Sequence, residues 1–442
     1  MRLLPYLILA AVAAVSAPAQ DLQTFVDGQV SGLVSIYKDL HAHPELSHQE
    51  AHTSALVADE LRKAGYTVTE HVGKYPDGSQ AYGVVAVMEN GAGPRLLIRS
   101  DLDALPVVED TGLSYASHVH AKNPAGQDVG VMHACGHDIH MTTLIGTARA
   151  LAALKSQWHG TVMLIGQPSE ETIDGAKAML ADHLYERFGK PNMAIALHDT
   201  NLHPAGQISV TSGPALSGAT SIDVTMRGIG SHGSRADLGK DPIVMAAQFI
   251  TQIQTIASRQ TDPRDPVVVT VGDIHAGTRR NIIPDEAKME LTLRAFNEKT
   301  REAAISGIRR AAQGVALAAG VPEDRAPVIT VLENESTPVT YNDPALTARI
   351  KTAISGVLGA QNVIDDPLAM GSEDFGLLGL DSHQIPTVMF WLGAMDPAKF
   401  AEVSAAGKEL PGLHSNHFEP LPEPTLRTGV EAMTTAAIAL LN

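Results

Sequence analysis

From Gly65 onward, short and almost wholly apolar runs alternate with stretches of helical periodicity. The runs cover residues 82–88, 96–100, 161–165, 194–197 and 387–392, and the stretches between them include 142–154, 344–358 and 424–441. A strand with one wet face is apolar at every second position, whereas a strand buried on both faces is apolar throughout. The pattern therefore predicts an α/β fold with helices on both sheet faces. Residues 22–64 read as helical, with Leu33, Ile36 and Leu40, then Leu56, Val57 and Leu61, at helical spacing.

One stretch has a different grammar. Residues 221–227 alternate through Ile222, Val224 and Met226, and 242–259 form an amphipathic helix opened by Asp241-Pro242. A β-branched strand at 267–271, an alternating strand at 288–296, a second helix at 300–319 and a strand at 328–332 follow. The order strand–helix–strand–strand–helix–strand is that of a ferredoxin-like split unit. The expected organisation is a larger domain built from 20–213 and 334–442, interrupted by a small α+β domain at 214–333.

The chain opens with Met1-Arg2, an apolar run over 7–17 and Ala17-Pro-Ala19. This reads as a secretory signal peptide at 1–19, whose apolar run over 7–17 is too short to span a bilayer of about 30 Å. An exported protein, periplasmic or secreted, works under oxidising conditions, where the single Cys135 has no intramolecular disulfide partner. A lone thiol there is either buried and inert or held by a metal. The formal net charge of −17 argues against a nucleic-acid partner, which needs clustered Lys and Arg. Nineteen histidines, more than Phe and Tyr combined, hint at metal or acid–base chemistry.

The segment His133-Ala-Cys-Gly-His-Asp-Ile-His140 packs three histidines, a cysteine and an aspartate ahead of a helix. Cys135 and His137, two apart around Gly136, can point at one metal centre. Upstream, Asp101 and Asp103 leave a strand end on the same side, where α/β proteins place their sites; a cap or turn role is the competing reading. Downstream, the strand at 161–165 ends in Gln167-Pro-Ser-Glu170-Glu171. Adjacent carboxylates repel unless a cation holds them or one is protonated. The strand at 194–197 ends at His198 in the same way. Four strand ends or helix starts thus bring metal-type side chains to one rim.

With these residues assembled, the chain resembles the hippurate hydrolase and N-acyl-amino-acid amidohydrolase branch of the aminoacylase–carboxypeptidase metalloenzyme superfamily, which includes the plant auxin-conjugate hydrolases. The resemblance rests on Leu40-His-Ala-His-Pro-Glu-Leu46, Asp101-Leu-Asp-Ala-Leu-Pro106, residues 133–140 and 167–171, Gly371-Ser-Glu-Asp-Phe375 and Leu413-His-Ser-Asn-His-Phe418. It implies a two-metal aminopeptidase/carboxypeptidase-like catalytic domain with an inserted lid and dimerisation domain. Carried over position by position, the metal ligands fall on Cys135, His137, Glu171, His198 and His414, the general base on Glu170, and the supporting aspartate on Asp103. In the lid, His232, Asn281 and Arg294 match residues that hold the scissile carbonyl and the substrate carboxylate. The equivalent of His232 can reach a partner's active site, which implies a homodimer.

Two divalent metals per subunit are implied, zinc foremost because a thiolate is among the ligands, with manganese, cobalt or nickel as alternatives. The implied reaction is hydrolysis of the amide of a small N-acyl or N-aroyl amino acid, with carboxypeptidase or dipeptidase activity on the same scaffold as the alternative. The chain departs from the family pattern where a Pro-His pair has become Ala236-Asp237, where Asp199-Thr200 follow His198, and at Gly166, where Phe is common. By the resemblance, these departures are expected to reshape the acyl or amino-acid pocket. His41, His43, His48 and His52 are expected on the surface or packing the N-terminal motif, Trp158 and Trp391 in core or rim packing, and Glu373 beside the site.

Overall fold

The computed structural model describes residues 16–380 and 383–442. The leader expected over 1–19 lies outside the described residues as far as position 15. The long N-terminal helical stretch is two helices, α1 (Ser16–Ala42) and α2 (Ala51–Lys63). Pro44 disfavours helical geometry at His43, and His48 turns the chain at φ +67°. Leu22, Val26, Leu33, Tyr37 and Leu40 put the inner stripe of α1 into the core.

The main sheet is built from β1 (Thr67–Lys74), β2 (Gln80–Asn90), β3 (Arg95–Asp101), β4 (Gly160–Gln167), β5 (Met193–Pro204), β6 (Ile208–Ser209), β11 (Val363–Ile364) and β12 (Thr387–Met395). Its spatial order is β1-β2-β4-β3-β5-β12-β6-β11. The central strands β4, β3, β5 and β12 are parallel, and β1 and β2 add an antiparallel edge. Successive side chains go to opposite faces. Leu96 and Ile98 enter the core under α1, α2, α3 (His137–Ala153), α7 (Pro344–Leu358) and α8 (Pro422–Leu441), while Leu97 joins Ala176 and Met179 of α4 (Gly175–Ala181). Both faces are therefore covered, which explains the unbroken apolar runs. Each such side chain withdrawn from water is worth about 1.5–3 kcal/mol. Helix α3 is buried on almost every side, as its apolar composition requires.

A second sheet comprises β7 (Gly218–Arg227), β8 (Val267–Ala276), β9 (Glu286–Ala295) and β10 (Val328–Thr337) in the order β8-β9-β7-β10, all antiparallel. Helices α5 (Pro242–Thr255) and α6 (Glu298–Ala318) cover one face. Ile222, Val224, Met226, Met289, Leu291 and Leu293 meet Phe249, Ile253, Ile305 and Ile308 there, forming a separate core. The intervening Asp223, Thr225 and Glu290 point away from it, so the alternation seen in the sequence is the difference between the two faces. No helix among the described residues is long and apolar enough to cross a membrane.

Candidate metal centre

In the main sheet Asp101 lies opposite Gln167, and His198 lies opposite Trp391. This register delivers the ends of β3 and β4 and the middle of β5 to one rim, beside the start of α3. A cavity of about 340 Å³ opens there, lined by Cys135, Glu170, Glu171, His198, Arg294 and His414 among others. His137 is buried against the same carboxylates, its Nε2 lying 3.9 Å from both Glu170 Oε2 and Glu171 Oε1. Cys135 Sγ is 3.6 Å from His198 Nε2, and His414 Nε2 is 3.7 Å from Glu171 Oε2. The ligand atoms of Cys135, His137 and His198 lie within 4.8 Å of one another, as do those of Cys135, Glu171 and His414. All five expected ligands converge.

Local backbone features make the convergence possible. Gly136 caps α3 at φ +73°, and a Cβ there would fall 2.2 Å from an Asp199 carboxylate oxygen, so no other residue fits between Cys135 and His137. His414 is at φ +65°, a conformation costing a non-glycine residue about 1–3 kcal/mol, and is fixed by its N–H donating to Ala134 O at 2.8 Å. Backbone carbonyls set the imidazole tautomers. His137 Nδ1 lies 2.8 Å from Asp103 O and His198 Nδ1 lies 2.7 Å from Asp199 O, so each Nδ1–H donates and each Nε2 faces the cluster.

The donor set fits divalent metal ions. His137 Nε2 and Glu171 Oε1 are buried with no hydrogen-bond partner in the protein, a costly arrangement for polar atoms unless something binds them. The electrostatics agree. Burial, then Glu373, Glu171 and Asp374, raises the Glu170 carboxyl well above its usual range, and burial takes Glu171 up to about 7. Burial also raises the Cys135 thiol, with Glu171 and Glu170 adding to the effect. Burial alone lowers His137, but Asp101, Asp103 and Glu171 together raise it well above the ordinary histidine value. Crowded acidic groups that favour protons in this way favour a cation in the same place. Cys135→Ser is expected to lower the metal content of the purified protein, measured by elemental analysis; unchanged stoichiometry would make the thiol a packing residue.

Asp103 is buried beneath these groups. Its Oδ1 accepts from the Glu170 N–H at 3.1 Å, and its Oδ2 accepts from the Glu171 N–H at 3.0 Å and the Ser47 hydroxyl at 2.6 Å. It therefore fixes the backbone of both glutamates. Glu373 lines the cavity and pairs with Arg99 at 2.7 Å. Arg99 is a buried guanidinium that also donates to Asp101 (2.6 Å), Asp374 (3.0 Å) and Gln167 (3.0 Å). Beside it His140 Nδ1 lies 2.6 Å from Asp101 Oδ1, and its Nε2 lies 3.1 Å from Asp199 Oδ1.

Sequence reasoning did not single out Arg99 or His140. The available signal was a charge inside the otherwise apolar run at 96–100 and the third histidine of the 133–140 segment. Three expected site residues belong to the smaller unit, and the structure brings only Arg294 to the cavity. Arg294 Nη1 donates to Met370 O at 2.9 Å. His232 and Asn281 are exposed and lie beside each other, the Gly233 N–H donating to Asn281 O at 2.8 Å; neither lines the cavity. A larger groove of about 980 Å³ runs between α5 and α6 and contains none of the candidate ligands. His43 and His52 are exposed, whereas His41 is fully buried between Asp138 (2.6 Å) and Glu109 (3.1 Å), which together hold its imidazole up at about 9 against the opposing effect of burial. Trp158 is core, and Trp391 lines the cavity.

Residues 97–438 match the family model described as "Peptidase family M20/M25/M40". The chain is 32% identical over 369 residues to thermostable carboxypeptidase 1 of Saccharolobus solfataricus, covering 83% of this chain and 87% of that one. It is 34% identical over 343 residues to hippurate hydrolase of Campylobacter jejuni, covering 77% and 83%. Among solved structures, the YXEP protein of Bacillus subtilis, described as a dinuclear metal binding peptidase, superposes with a TM-score of 0.74 at 28% identity, covering 94% of this chain and 99% of that one. A match of this extent, over a chain whose strand ends carry that ligand set, places the protein in peptidase family M20/M25/M40.

Proposed function

We propose that this metal-dependent amidohydrolase cleaves N-acyl or N-aroyl amino acids to a carboxylic acid and a free amino acid. The observation that carries this reading is one cavity holding Glu170 beside the metal-type cluster, a guanidinium from Arg294, and an apolar wall of Ile173, Leu216, Trp391 and Leu413. Cys135, His137, Glu171, His198 and His414 would hold two divalent ions, zinc foremost. Bound there, such ions supply Lewis acidity to the amide carbonyl and lower the pKa of the attacking water towards about 7.

The side chains do the rest. Glu170, adjacent to a ligand, takes the proton of the water and passes it to the leaving amine. Arg294 pairs with the substrate carboxylate, and the apolar wall receives the acyl group. His232 and Asn281, exposed on the smaller unit, suit a role at the oxyanion of a second subunit, which supports a homodimer joined through that unit. The leader at 1–19 supports export to the periplasm or the medium.

Similarity to a carboxypeptidase favours a second reading, cleavage of a C-terminal peptide bond at the same centre. The discriminating experiment measures amino-acid release by the zinc- or manganese-loaded mature protein from hippurate, N-acetyl and long-chain N-acyl amino acids, and dipeptides. Hydrolysis of the acylated compounds with dipeptides untouched supports the first reading. Preferential dipeptide cleavage replaces it with the second.

A further inference from the structure

Ser169, the residue before Glu170, is fully buried at φ +52°. That left-handed conformation costs a non-glycine residue about 1–3 kcal/mol and persists only where the surroundings impose it. They do so from far along the chain. Glu50, at the start of α2, accepts through Oε1 from the Ser169 N–H at 2.8 Å, the Ser169 hydroxyl at 2.9 Å and the His48 N–H at 3.0 Å. The Tyr75 hydroxyl lies 2.6 Å from Ser169 Oγ, and the His48 N–H reaches the same oxygen at 3.0 Å.

Glu50 is a poor choice for a purely structural acceptor. It is fully buried, its second oxygen has no partner, and burial together with the charge of Asp103 pushes its carboxyl up to about 7. An unpaired carboxylate oxygen in that position costs stability. What the arrangement accomplishes is geometric: Glu50 grips residue 169 while Asp103 grips the amides of 170 and 171, so the segment carrying Glu170 is held from two sides.

We propose that Glu50 is a positioning residue for Glu170, acting by imposing the left-handed turn at Ser169 that aims the Glu170 carboxylate into the cavity. This rests on Glu170 being the general base.

The test is steady-state kinetics on an acylated substrate that the wild type hydrolyses, with metal content measured on the same samples. Displacing a catalytic group by about 1 Å can cost about 100-fold. Glu50→Ala is therefore expected to lower kcat by about 10–100-fold, with KM and metal stoichiometry unchanged. Glu50→Gln, which keeps the acceptor oxygen, should restore kcat to within about threefold. Ser169→Ala combined with Glu50→Ala should be no worse than Glu50→Ala alone, because both act on one contact. Wild-type kcat in a metal-loaded Glu50→Ala protein, or equal losses in the Ala and Gln variants, overturns the proposal.

Should Glu50→Ala not fold, Glu50→Asp keeps the carboxylate and withdraws it from Ser169 by one methylene. It is expected to lower kcat about threefold or more at constant KM, and an unchanged kcat overturns the proposal equally. Glu170→Gln assayed in parallel separates the two ideas. Full activity in that variant defeats the base assignment itself, whereas its inactivity beside a fully active Glu50→Ala defeats only the positioning role.

Discussion

Glu170→Gln is expected to lower kcat by about 10³-fold or more while the protein keeps its full complement of metal. Glutamine preserves the size of the side chain and its place beside Glu171 but cannot accept a proton. None of the five candidate ligands is altered, so binding of metal and of substrate carboxylate should persist, and KM should change little. The pH profile offers a second check. Burial and the carboxylates of Glu373 and Glu171 raise Glu170, and a base works only when ionised. Activity, read as kcat/KM, should therefore fall along an acid limb as pH drops through the value at which this carboxyl takes up its proton. Metal cations nearby pull the same group downward, so metals of different acidity should shift that limb. Turnover retained in Glu170→Gln would remove the residue from the base role and leave Glu373, on the same cavity, as the group to examine.

The second large effect concerns stability. The Arg99 guanidinium faces Asp101, Glu373 and Asp374, all buried and all within 3.0 Å of it. Against the cost of burial, Arg99 holds Glu373 below its usual range, and His137, then His140 and Arg99, hold Asp101 well below its own; burial and Glu373 raise Asp374. Arg99→Met keeps the bulk of the side chain, takes the guanidinium away from Glu373 and Asp374, and leaves Asp101 to His137 and His140. Removing one partner of a buried ion network typically costs about 3–5 kcal/mol, read here as a fall in the urea midpoint at constant slope. Lysine should rescue poorly, since a point charge cannot serve three carboxylates and Gln167 from the positions of one planar fork. Adding Glu373→Gln and Asp374→Asn to Arg99→Met should recover part of the loss. No recovery would mean that Arg99 stabilises by packing.

The features read correctly from the sequence were those set by local periodicity. The apolar runs at 82–88, 96–100 and 161–165 are strands because both of their faces are buried, and the alternation at 221–227 marks a sheet covered on one side. The metal-type residues were visible because Cys135 and His137 crowd one short segment and Glu170 and Glu171 another, whereas His414 was named only through the resemblance. What escaped notice depends on long-range partners. The helical stretch at 22–64 breaks because the segment at 45–50 is drawn inward, where Ser47 meets Asp103 and Glu50 meets Ser169. Arg99 carries its meaning only through Glu373 and Asp374, which come from the far end of the chain. Strands β6 and β11 are two residues long, too short for any periodicity, and exist because β12 and each other provide edges to pair with.

The place of β12 in the main sheet has a consequence for biosynthesis. Ala194 of β5 pairs with Thr387 of β12, and the whole four-stranded unit is encoded between them. As the chain leaves the ribosome, the smaller unit can fold before the strand that completes its neighbour has been made. Until then β5 presents a bare parallel edge, the kind of surface that recruits foreign strands. His414 emerges later still. Four of the five candidate ligands precede β12 in the chain and His414 follows it, so the full set can come together only once the strand that completes the sheet is available.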